Sequence, residues 1–371
     1  MAAVALGIPV RGPRPGAPVD PGTPASAPPD TSGRPDTPHL VDRYGRRARD
    51  LRVSLTDRCN LRCTYCMPAE GLEWMPADDV LSDAELLRLV RVAVERLGVT
   101  EVRFTGGEPL LRKGIAELVR GTAALRPRPE ISLTTNGIGF ARRAGELADA
   151  GLDRVNISLD TLRDDVFRSL TRRPRHRDVL AGLEAARAAG LRPVKINAVL
   201  LRGINDGEAA DLLAFALEHG YHLRFIEQMP LDAGHSWDRA EMVTAAEILD
   251  RLTERFTLLP HPAPRAGAPA ELFDVAGWAV DGAAATVGVV GSVTRPFCGD
   301  CDRTRLTADG QVRSCLFSRT ETDLRALLRG GAGDDELADA WRGAMWAKLP
   351  GHGIDDPSFL QPDRPMSAIG G

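Results

Sequence analysis

Asp57-Arg58-Cys59-Asn60-Leu61-Arg62-Cys63-Thr64-Tyr65-Cys66 sets three cysteines at the spacing C-x-x-x-C-x-x-C. Three thiolates can hold three corners of a four-iron cube and leave the fourth iron open to a small molecule, whereas four thiolates leave only electron transfer. The same residues could instead ligate zinc with a distant histidine, form a redox pair plus a spare thiol, or pack as small hydrophobes. Structural zinc motifs usually add a second Cys or His pair, and no histidine lies within twenty residues of Cys66. The first ten residues are uncharged and lack the basic region of a secretory signal. No apolar stretch approaches the ~18 residues needed to span a bilayer, so a membrane role is not expected. A cytoplasmic chain, which this is read to be, keeps its thiols reduced.

Working outward, Phe297-Cys298-Gly299-Asp300-Cys301 followed by Cys315 gives C-x-x-C-x13-C, so all six cysteines fall into two triplets. Alone, the second triplet reads as zinc or iron–sulfur alike, because His352 could fold back as a fourth ligand. Beside the first triplet, a second cluster with its own open iron is preferred. An open iron away from the first invites a substrate ligand.

The pattern around these cysteines gives the fold. Ten of the 27 prolines precede residue 40, mixed with Ala, Gly, Thr and Ser, so residues 1–41 are expected to be a disordered or extended leader. From residue 42 to 240, β-rich runs alternate with helical periods. Strands are expected at Leu51–Leu55, Glu101–Phe104, Ile131–Thr134, Arg154–Leu159, Val194–Leu200 and His222–Ile226. Between the first two, Ser82 and Glu85 make a capping box, and Leu86, Leu89, Val90 and Ala93 share one face. Six β/α units imply an α/β fold with a parallel sheet, an incomplete (β/α)6 barrel of the TIM type. Pattern alone also admits a doubly wound open sheet. Residues 241–371 form a C-terminal extension carrying the second triplet.

In either architecture ligands sit at the carboxyl ends of the strands. Cys59, Cys63 and Cys66 fall after the first strand and Gly106-Gly107 after the second. Thr134-Thr135-Asn136-Gly137, Ser158-Leu159-Asp160 and Glu227-Gln228-Met229 fall at the third, fourth and sixth. The formal charge of −4 gives no general attraction for nucleic acid. Yet Arg52, Arg103 and Lys195 lie in strands that line a core, and Arg303 and Arg305 follow Cys301. Buried cations are costly without partners, so a polyanionic ligand is inferred. With no Walker A run and no G-x-G-x-x-G, side-chain cations rather than a P-loop would hold a nucleotide.

With Tyr65 before the last cysteine of the first triplet, and Gly106-Gly107-Glu108-Pro109 beyond it, the chain resembles the radical S-adenosylmethionine superfamily. From about Asp42 onward it is similar to one family within it, the GTP 3′,8-cyclases of molybdenum cofactor biosynthesis. The runs carrying that likeness are Leu51 to Asn60, Arg103 to Leu110, Leu133 to Gly137, Val155 to Asp160, Gly203 to Asp206, Arg224 to Glu227, Phe297 to Arg305 and Ile369-Gly370-Gly371. Ala368 departs from it, standing where many relatives carry a tyrosine.

The resemblance implies a lyase with two [4Fe–4S] clusters, on Cys59, Cys63, Cys66 and on Cys298, Cys301, Cys315. It implies S-adenosylmethionine against Tyr65, Gly107, Ser158 and Met229. GTP would be held by Arg52, Arg103, Thr134, Lys195, Arg303, Thr304 and Arg305, and Gly370-Gly371 would reach into the active site as catalytic residues. The reaction it implies takes hydrogen from C3′ of the ribose, bonds C3′ to C8 of guanine, and adds a further electron and proton to give 3′,8-cyclo-7,8-dihydro-GTP. The implied partners are a second copy in a homodimer, a low-potential flavodoxin- or ferredoxin-type donor, and cyclic pyranopterin monophosphate synthase as recipient of the product.

Overall fold

A computed structural model of the chain describes residues 31–370. Six strands follow the expected ones to within a residue or two: β1 (Asp50–Ser54), β2 (Glu101–Thr105), β3 (Glu130–Thr135), β4 (Arg154–Ser158), β5 (Val194–Val199) and β6 (His222–Ile226). Each pairs with the next in parallel. This unbroken chain order excludes the doubly wound alternative, whose strand order reverses at a switch point. In β5 the side chains alternate: Val194, Ile196 and Ala198 are buried under helices while Lys195 and Asn197 face the other way.

The layer outside the sheet forms as its sequence dictates. Helix α1 (Asp83–Leu97) begins at Ser82 with both capping-box bonds made and ends at Gly98 in the left-handed conformation. Its buried face carries Leu86, Leu89, Val90, Ala93 and Leu97. Each large side chain so buried contributes roughly 1.5–3 kcal/mol, and Leu89→Ala would cost about 2–5 kcal/mol with the cavity it leaves.

The region after residue 240 gives strands to the same sheet. A hairpin of β7 (Glu271–Val280) and β8 (Ala283–Val290) places β8 parallel to β6. At the opposite edge β9 (Arg303–Leu306) runs parallel to β1, and β10 (Gln311–Arg313) returns antiparallel to it. The parallel series is therefore β9-β1-β2-β3-β4-β5-β6-β8 inside a 12-stranded sheet, longer at both edges than the expected six units. Among the described residues β8 and β9 share no ladder.

One boundary needs correction. Leu40–Val41, expected in the leader, pairs with Arg47–Ala48, and Leu40 is fully buried. Upstream, Ser32 O accepts from Trp346 Nε1. Leu40 is the first large apolar side chain after the proline-rich stretch, and its burial ties the segment to the fold. The part of the expected leader before residue 31 lies outside the described residues.

Candidate functional site

The loop after β1 that carries the first triplet is held by its neighbours' backbones. Gly107 N donates to Thr56 O and Glu108 N to Arg58 O, each at 2.7 Å. A Cβ on Gly107 would stand 2.3 Å from Arg58 O and 2.5 Å from Asp57 O, so only glycine lets these strands' ends approach this closely. Glu108, fully buried, accepts from Leu110 N, Asn136 N and Thr135 Oγ1. Its carboxyl is pushed up to about 7 by burial, against the pull of those bonds. Cys59 Sγ receives the Leu61 N–H at 3.5 Å and Asn136 Nδ2 at 3.9 Å. Burial raises all three thiols, Cys59 to about 11 and Cys66 to about 12, and Cys63 feels Asp160 and both other cysteines. The triplet is thus gathered at one place, at the carboxyl rim of the sheet.

Beside it the sheet curls around a cavity enclosing about 950 Å³ of empty space, its open mouth included. Arg52, Arg103, Arg224, Arg303 and Arg305 all line it. Arg305 and Arg52 are cross-strand partners, as are Arg52 and Arg103, which sets three cations abreast on three neighbouring strands. Like charges so placed repel. Asp50 pairs with Arg52 at 3.0 Å and reaches Arg103 at 3.9 Å. Burial works to raise its carboxyl, but Arg52 and Arg103 hold it well below the usual range. Burial, then neighbouring arginines, lower Arg103 well below its usual value and Arg224 and Arg305 to about 9. Arg224 donates to Asn197 Oδ1 and Asn156 Oδ1, both neutral acceptors.

The second triplet forms another wall of this cavity. Arg46, buried and paired with Asp42, donates to Cys298 O, Leu349 O and Pro350 O, fixing the loop at its first cysteine. Cys301 Sγ accepts from Lys348 Nζ and from Arg303 Nη2, both at 3.3 Å. Burial raises its thiol, but Arg303 and Lys348 bring it down to about 7. Two sequence profiles match the chain: that of the radical SAM superfamily over residues 53–216 and that described as Molybdenum Cofactor Synthesis C over residues 221–354. A GTP 3′,8-cyclase of Streptomyces coelicolor is 65% identical over 333 residues, 90% of this chain and 96% of that one. One of Mycobacterium marinum is 58% identical over the whole of both chains. The chain belongs to the GTP 3′,8-cyclase family. A crystal structure of Streptococcus suis SuiB bound to S-adenosylmethionine aligns with TM-score 0.55 at 17% identity, over 84% of this chain and 68% of that one, a likeness of fold.

As a radical SAM enzyme of that family, the chain takes a [4Fe–4S] cluster and S-adenosylmethionine. The first triplet fits this demand: three half-buried free cysteines, with N–H donors aimed at Cys59. Among the described residues no three His, Cys, Asp or Glu side chains close on one point as a single-ion site. A cube spreads its thiolates over separate corners and does not ask for that convergence. Beside Cys66, the carboxylate of Asp232 keeps one buried oxygen without a partner, an acceptor that a bound group can satisfy.

The expected cyclase residues fall as follows. Ser158 ends β4, Met229 and Thr134 line the cavity, and Gly107 faces the cysteine loop. Tyr65 donates its hydroxyl to Asp160 Oδ2 at 2.7 Å, which fixes the direction of its ring. Lys195 lines an adjoining cavity that shares Arg103 and Arg224 with the first. Burial and those arginines lower it to about 7. Thr304 turns its side chain elsewhere: its hydroxyl accepts from Trp341 Nε1 at 2.9 Å, under the helix Asp334–Trp346, and it is not among the residues that line the cavity. Gly370 is buried with φ +82°, its carbonyl accepts from Arg305, and a Cβ there would stand 2.8 Å from Thr105. Gly371 lies outside the described residues. Arg224, Asp50 and Lys348 were not expected; period-two alternation beside Phe225 was a usable signal for Arg224, and nothing in the spacing marks Lys348.

Proposed function

We infer that the chain converts GTP to 3′,8-cyclo-7,8-dihydro-GTP, the first step of molybdenum cofactor biosynthesis. The observation that carries this reading is the charge imbalance of the cavity, whose lining sets five arginines and, among the described residues, no carboxylate against the second cysteine triplet, Asp50 pairing with Arg52 outside it. A triphosphate supplies the missing negative charge, and Arg fits phosphate oxygens through paired donors. In this reading Arg52, Arg103, Lys195, Arg303 and Arg305 hold GTP beside Thr134. Cys298, Cys301 and Cys315, which line the same cavity, would hold a second [4Fe–4S] cluster able to take the guanine as a ligand.

When bound, the first cluster and S-adenosylmethionine would supply the radical chemistry that the loss of hydrogen from C3′ and the C3′–C8 closure require. The chain's part is to set distance and to keep water away. Tyr65, Gly107, Ser158 and Met229 place the cofactor at the rim. The arginines fix the triphosphate, and Val290, Leu316, Phe317 and Met366 give the cavity an apolar flank. Gly370 accepts from Arg305, one of the arginines that line it.

The same reading includes a homodimer, a flavodoxin- or ferredoxin-type donor, transfer of product to cyclic pyranopterin monophosphate synthase, and a cytoplasmic setting. No helix among the described residues is long and apolar enough to cross a membrane. The test is anaerobic turnover of reconstituted protein with S-adenosylmethionine and GTP. Cys298→Ser should keep about half the iron and lose cyclisation; a variant that still cyclises GTP removes the second triplet from the reaction.

A further inference from the structure

Lys348 is 4% exposed, and its ammonium makes three contacts: Cys301 O at 3.0 Å, Arg303 O at 3.0 Å and Cys301 Sγ at 3.3 Å. Among the described residues no carboxylate pairs with it. A buried ammonium facing two carbonyls and a sulfur is expensive unless the sulfur carries negative charge. Arg303 Nη2 approaches the same sulfur at 3.3 Å, and its guanidinium stacks on Phe297 with the carbon 4.4 Å from the ring centre. Two cations therefore converge on one thiolate. Neither leaves easily: Lys348 follows the helix Asp334–Trp346, which Trp341 ties to β9 through Thr304.

The first triplet is arranged differently. The donors to Cys59 Sγ are the Leu61 amide and the Asn136 amide group, both neutral. The charged groups acting on its thiols are the carboxylates of Glu108, Asp160 and Asp232, against a single cation, Arg62, which acts on Cys59 without bonding its sulfur. Hydrogen bonds to the sulfurs and net local charge are what set a cluster's potential. Cations favour the reduced cluster, which carries one more negative charge, and carboxylates oppose it.

We propose that Lys348, with Arg303, holds positive charge against the Cys301 sulfur and makes the second cluster the easier of the two to reduce. The proposal rests on the reading that Cys298, Cys301 and Cys315 carry a cluster. In its step the [4Fe–4S]2+ cube takes one electron from an external reductant and becomes [4Fe–4S]+, with no bond made or broken. Lys348 is a positioning residue, since it acts through Cys301 and touches no reacting atom.

The experiment is a dithionite-poised potentiometric titration followed by electron paramagnetic resonance, without GTP or S-adenosylmethionine. A protein with Cys59, Cys63 and Cys66 all changed to Ser isolates the second cluster, and one with Cys298, Cys301 and Cys315 changed isolates the first. Iron and sulfide counts come first: no iron in the former overturns the underlying cluster reading itself. With about four irons in each, the second cluster should reduce at the higher potential. In the former protein, Lys348→Met should lower the reduced-to-oxidised ratio at fixed potential at least tenfold, about 59 mV for one electron. Lys348→Arg should restore most of it. An unchanged midpoint in Lys348→Met, or a second cluster that reduces below the first, overturns the proposal. If Lys348→Met loses its iron, the order of the two parent midpoints decides alone.

Discussion

Arg305→Met is expected to make the GTP-free protein more stable and the GTP complex weaker. Burial, then Arg52 and Arg303, bring its guanidinium from the usual 12.5 to about 9. At ~1.36 kcal/mol per pH unit, keeping it charged costs the fold roughly 5 kcal/mol. Its one hydrogen bond among the described residues, to the Gly370 carbonyl, returns about 1.5–3 kcal/mol for a charged donor. Methionine fills similar space without charge, so a net gain on the order of 2 kcal/mol remains. A base whose folded value is lowered is penalised at every pH below that value, so the gain is flat across the neutral range. It would raise Tm by about 2–4 °C per kcal/mol in a chain of 150–250 residues, and less in a longer one. GTP loses a charged hydrogen bond of about 1.5–3 kcal/mol, some 10- to 150-fold in Kd. Anaerobic melting at fixed scan rate, with and without GTP, reads both effects. A lower Tm without GTP together with an undiminished GTP-induced rise would refute the claim that these cations await a polyanion.

Three further substitutions separate roles. Gly107→Ala drives a methyl against two backbone carbonyls and should cost about 1–3 kcal/mol while lowering iron retained by the first triplet; normal iron and unchanged melting would contradict the close approach. Thr304→Val leaves the buried Trp341 N–H unpaired, which should cost about 1–3 kcal/mol while GTP affinity stays within about twofold; a large loss of affinity would return Thr304 to the cavity. Lys195, lowered to about 7 by burial and its arginine neighbours, binds its proton less tightly folded than unfolded. Its penalty is full below about 7 and relieved as pH climbs toward the unfolded 10.5, so GTP-free stability should rise over that window and Lys195→Met should flatten the rise.

The sequence carried most of the architecture because local and global signals agreed there. The six strands were legible in β-rich runs, and α1 in its capping box and apolar face. The two flanking parallel strands were not. β8 is alanine-rich and arrives through a hairpin rather than a β/α repeat, and β9 is four residues long with an arginine at alternate positions. For the site, cysteine spacing is local and was read directly. The cation cluster was only half visible, because abreast placement of Arg305, Arg52 and Arg103 depends on strand register. Thr304 was carried along with its neighbours, although a period of two turns it away from the face that Arg303 and Arg305 share. Lys348 is reached only through the fold, since its partner lies 47 residues earlier.

The most direct measurement uses GTP bearing deuterium at C3′, turned over anaerobically by the reconstituted protein. Deuterium is expected in the 5′-deoxyadenosine released, alongside 3′,8-cyclo-7,8-dihydro-GTP. 5′-Deoxyadenosine that forms in the presence of GTP yet carries no deuterium would contradict the account.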